Sequence, residues 1–168
     1  MLPQQVKAQS TDWKAVETEF YRLLNELRTK KKLQPLMPGN AVLDTAAFDQ
    51  ARYLNKKGKL THDQNNRKKA TPYKRVQFYG GNYTIVGENC IEIFLNTPMK
   101  TKYSRNPVTV STEKEIAEAL FLGWKHSPEH YQNMITPEYR DAGLGYAFNE
   151  KTKQLYCTQV FGGFIQKK

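Results

Sequence analysis

The stretch "AGLGYAFNEKTKQLYCTQVFGGF" (Ala142–Phe164) decides the fold class. Leu144, Tyr146 and Phe148 alternate with smaller residues, a polar "NEKTK" follows, and Leu155, Cys157 and Gln159 alternate less cleanly. Two strands about a polar turn are the expectation. Everything before them reads as helix and loop. Helices first and a hairpin last indicate an α+β domain with helices packed on an antiparallel sheet.

Working back from the hairpin, "GWKHSPEHYQNMI" (Gly123–Ile135) ends one helix and starts another. The first of these runs from about Thr112 to His126, with Ile116, Ala119, Leu120 and Trp124 facing inward. Ser111 or Thr112 with Glu115 resembles a capping box. Pro128 cannot continue a helix interior, so His126 and His130 fall on different helices. The two-histidine face of a zinc-binding helix is therefore excluded, and Glu129 does not recreate the metalloprotease pattern. Upstream, residues 96–111 read as an irregular loop. "YGGNYTIVGEN" (Tyr79–Asn89) reads as a glycine-punctuated connection, and Thr71-Pro72 opens a short helix through Phe78. Asn40 caps a helix over Ala41–Lys57 that Gly58 ends, with Leu43, Ala46, Ala47, Phe48 and Leu54 inside. Asp12 caps another over Trp13–Lys30, whose stripe is Val16, Phe20, Leu23, Leu24 and Leu27.

With 168 residues and 39% hydrophobic composition, the chain suits one compact domain and hardly two. We divide it into an N-terminal extension, 1–12, and a single domain, 13–168. No apolar run approaches the ~20 residues of a membrane span. Of the net charge of +10, +9 lies in residues 1–80. Runs such as "RTKKK" (Arg28–Lys32) are either solvated helix ends or a face that attracts acidic glycans or anionic lipid. No phosphate loop or nucleic-acid motif is present. Cys90 and Cys157 could pair once or sit apart as small buried hydrophobes.

The residues able to form a site are few. His62 lies in "LTHDQ" and Glu88 in "VGEN", and an imidazole with a nearby carboxylate suits a divalent metal. Two histidines and a carboxylate meet the minimum for an open zinc site. Equally, each could be a hydrogen-bonded structural residue.

Six segments in order then resemble one family. "LLNELRTKKKLQPL" (Leu23–Leu36), "LTHDQ", "VGEN", "GWKHSPEHYQNMI", "YRDAGLGYAF" and "YCTQVFGGF" are similar to the CAP superfamily, the cysteine-rich secretory, antigen-five and pathogenesis-related proteins. The bacterial SCP-like pattern "WxxSPxHxxNMxxPxYxxxGxG" fits best. The resemblance implies a three-layer α-β-α sandwich with a central antiparallel sheet, and a cleft formed by His62, Glu88 and His130. His126 matches no site residue. The family's other acid falls at Ser127, which is assigned to the cleft with the rest. Zinc or another divalent metal on His62 and His130 is implied, held less tightly than by four ligands. The resemblance further implies a secreted or cell-surface protein, leader removed, with a lipid anchor ahead of residue 1 in some forms, and a monomer. A non-enzymatic module binding a lipid or sterol, an acidic glycan or a protein is the first functional expectation. A metal-assisted hydrolase with Glu88 as general base is the second.

Overall fold

The computed structural model describes residues 11–101 and 104–165. Most of the expected extension, 1–10, lies outside them. Among the described residues five α-helices form: α1 (Trp13–Lys30), α2 (Ala41–Lys57), α3 (Pro72–Phe78), α4 (Glu113–Lys125) and α5 (Pro128–Met134), with a short 3-10 turn at Arg67–Lys69. Three strands complete the fold: β1 (Ile85–Phe94), β2 (Tyr139–Asn149) and β3 (Gln154–Gly163).

The capping signals hold residue by residue. Asp12 accepts from the Lys14 and Ala15 amides, and Asn40 from those of Val42 and Leu43. Thr112 and Glu115 close a capping box at α4. Gly58 ends α2 at φ 63°, a left-handed conformation that glycine adopts without steric penalty. Pro128 opens α5 one residue after Ser127, so α4 and α5 are separate helices as the proline requires.

The sheet is antiparallel in the order β1-β3-β2. β3 is central and buried from Leu155 to Gly163, which explains its blurred alternation: both of its faces are covered. Leu155, Cys157 and Phe161 join a core with Phe20, Leu24, Ile116, Leu120 and Trp124 from α1 and α4. Val160, on the opposite face, packs with Leu43, Ala46 and Ala47 of α2 and Val76 of α3. Three layers result, α1 and α4 on one side of the sheet and α2 and α3 on the other. α2 lies close because β2 has no side chains in the way. A Cβ at Gly143 would meet the backbone of Leu43 and Asp44, and one at Gly145 that of Ala47 and Phe48.

One expectation is corrected. The segment read as a connection contains the start of β1, an edge strand of ten residues paired from Ile85↔Gly163 to Phe94↔Gln154. Its sequence, "IVGENCIEIF", carries buried polar residues whose partners are distant in sequence, so no periodicity marks it. The 96–111 loop does form one bridge, Met99 with Val108. Cys90 and Cys157 are free, buried thiols on neighbouring strands.

Candidate functional site

The site is built on β1, and its centre is Glu88, whose side chain is 1% exposed. One carboxylate oxygen, Oε2, accepts from Arg75 Nη2 at 2.5 Å; the other, Oε1, meets His62 Nδ1 at 2.9 Å. A carboxylate can only accept, so Nδ1 carries the proton and Nε2 of the neutral ring presents its lone pair outward. That bond to Glu88 raises the His62 pKa above its ordinary 6.5, against an opposing effect of burial.

Each partner is held from a different element. Arg75, on α3 and wholly buried, also donates to the carbonyls of Lys69 (3.0 Å) and His62 (3.1 Å). Gln50 of α2 donates to Thr61 O at 2.5 Å and accepts from Gln64 at 3.0 Å, fixing the loop on both sides of His62. A Cβ at Gly87 would run into the Tyr139 hydroxyl, so a side chain there would push the Tyr139 ring aside. Cys90, two residues along β1, lies 3.5 Å from Glu88 Oε1 and 3.8 Å from His62 Nδ1. Burial pushes its thiol well above the usual range, with the Glu88 charge adding to the effect.

His130 arrives on α5. Asn89 donates to the His130 carbonyl at 3.1 Å, and Asn133 donates to Asn89 Oδ1 at 2.8 Å and to Glu88 O at 3.2 Å. β1 and α5 are thereby tied together through two asparagines. The His130 ring has its pKa lowered by burial first and then by the positive charge of His62. Ser127 caps α5 in position but makes no side-chain capping bond. His126 sits at the C-terminal end of α4, outside this group.

Among the described residues, one set of three donor types has ligand atoms all within 4.8 Å of one another: His62, Glu88 and Cys90. His130 is not in that set. Sequence reasoning named His62, Glu88 and His130; it did not single out Arg75, and it weighed Cys90 only as a disulfide partner or a small buried hydrophobe, not beside Glu88. Asn89 and Asn133 lay inside quoted motifs, whereas Arg75 sits among exposed lysines with nothing to distinguish it.

Residues 21–161 match the model of the CAP family, described as the cysteine-rich secretory protein family. The chain belongs to this family. Its members are typically extracellular. Among solved structures, an outer surface protein of Borrelia burgdorferi superposes with TM-score 0.70 at 18% identity, covering 94% of this chain and 98% of that one. An extracellular SCP-domain protein of Bacillus anthracis gives 0.61 at 18%, covering 87% and 39%. A cysteine-rich secretory protein of Staphylococcus aureus gives 0.57 at 14%, covering 96% and 40%. The chain thus spans nearly all of the first and well under half of the other two. At these identities the likeness is one of fold. No curated relative matches the chain.

Proposed function

We propose that this CAP domain is a non-enzymatic binding module of a secreted or cell-surface protein, its ligand a lipid, an acidic glycan or another protein. The observation that carries the reading is the state of Glu88. Both oxygens are committed, one to a buried guanidinium and one to His62, and the group is 1% exposed. A general base must reach the proton it abstracts within hydrogen-bond distance. Here the carboxylate faces its own scaffold instead. No serine beside a base-and-orienter pair offers a nucleophile among the described residues. The excess of positive charge suits an acidic surface or glycan. Binding panels of anionic vesicles, cholesterol and heparin, run at low and physiological salt, test it. Saturable binding to one class supports the module. Turnover of peptide or ester substrates that is lost in Glu88→Gln would refute it.

The second reading, zinc held by His62 and His130, has its own support. A histidine backed through Nδ1 by a carboxylate is the usual outer-shell arrangement of a metal ligand, and His62 has that backing from Glu88. His62 and His130 would hold the ion, which would act as a Lewis acid or supply a bound hydroxide when present. Glu88 would orient His62. Calorimetric titration with zinc of the wild type, His62→Ala and His130→Ala separates the cases. Micromolar binding lost in both variants supports the site; no heat in the wild type removes it.

A further inference from the structure

A cavity of about 520 Å3 lies apart from His62 and His130, between the outer half of β1, the C-terminal half of α4 with His126, and the 96–111 loop. Its walls are mainly apolar, including Ile93, Phe94, Met99, Val108 and Leu122, with Lys100 and Glu92 among the polar residues. The size is that of a ligand pocket. What distinguishes it is the strand that forms one wall.

β1 pairs only with β3. Leu95 donates to Lys153 O, which fixes the parity: odd residues of β1 bond inward, and Glu88, Cys90, Glu92 and Phe94 turn their N–H and C=O groups outward. Glu88 confirms this, because its outward carbonyl is the one that Asn133 covers. Among the described residues, the backbone N–H and C=O of Glu92 and Phe94 have no partner, and these two residues line the cavity. An acyl chain filling the cavity would leave these four groups facing hydrocarbon, at a cost in free energy. An extended peptide would satisfy all four and place alternate side chains against the apolar walls.

We propose that the open edge of β1 and its cavity form a strand-addition site for an extended segment of a partner protein, apolar at alternate positions. At about 3.3 Å per residue, Ile91–Phe94 offers room for roughly four paired residues. The proposal deepens the binding-module reading by naming the class of partner, and it is independent of the histidine cleft.

The test uses a displayed library of random octapeptides, selected on the wild type and counter-selected on Leu122→Lys. Leu122 is 44% exposed, so a lysine there charges the cavity without burying an ion. The best peptide is then resynthesised with its edge-pairing amides N-methylated, and amide hydrogen exchange is read in the bound protein. Expected are enriched sequences with alternate apolar residues, protection of the Glu92 and Phe94 amides on binding, and about tenfold or greater loss on methylation. Failure to enrich such binders, or binding that leaves those two amides unprotected, overturns the proposal. Dodecanoate binding in the cavity without any peptide binder would do the same while leaving the module reading intact. Glu88-dependent turnover would remove the module reading and leave strand addition standing.

Discussion

Replacing Arg75 by Met tests the view that Glu88 is a structural anchor. The guanidinium is fully buried and the Glu88 side chain nearly so. Removing one partner of such a pair strands the other charge, at a cost of about 3–5 kcal/mol. Arg75→Met should therefore lower the melting temperature by roughly 6–20 °C, taking about 2–4 °C per kcal/mol at this size. Glu88→Leu strands the arginine and should cost a similar amount. The double variant should cost far less than the sum, because no charge is left unpaired. Its residual loss comes from the carbonyls of Lys69 and His62, which lose their donor. At about 1 kcal/mol each, that amounts to about 2 kcal/mol. The coupling energy should thus reach about 4 kcal/mol or more. Urea unfolding followed by fluorescence of the buried Trp124 measures all four proteins. Additive losses, or an Arg75→Met variant less than about 1 kcal/mol below wild type, would refute the buried anchor.

Three further outcomes are expected. Histidine titration by NMR should place His62 above 6.5 and His130 below it, with His62 falling in Glu88→Gln. The two act oppositely on stability: the raised His62 stabilises below its unfolded pKa and loses this as pH rises through its folded value, while the depressed His130 stabilises above 6.5 and loses this as pH falls. Gly145→Ala should cost at least about 3 kcal/mol or prevent folding, because its Cβ meets the α2 backbone rather than a movable side chain; near-wild-type urea midpoints would contradict the close helix–sheet approach. Iodoacetamide at about pH 8 should leave Cys90 and Cys157 unmodified in the folded protein and alkylate both in urea, since burial raises both thiols.

The helices were legible because their signals are local. Asp12, Asn40 and Thr112 fix helix starts through amides two or three residues away, and Pro128 by its own ring at the first position of α5. The β2–β3 hairpin was legible for the same reason. β1 was not: its pairing is with residues about 60 to 78 positions further on, and its polar residues are buried only because α3 and α5 supply partners. His62, Glu88 and His130 were chosen from the chemistry of their side chains and the order of the motifs. Arg75 could not be, because what sets it apart from neighbouring lysines is burial against a carboxylate that the sequence does not place beside it.

The claim most open to direct test is that Glu88 serves as an ionised acceptor that orients His62. A long-range nitrogen–proton correlation spectrum of the His62 ring, taken where the ring is neutral, reports which nitrogen holds the proton. A proton on Nδ1, lost to a mixed population in Glu88→Gln, is the predicted result. A proton on Nε2 in the wild type would mean that Nδ1 accepts from a protonated carboxyl, and the anchoring role assigned to Glu88 would fall.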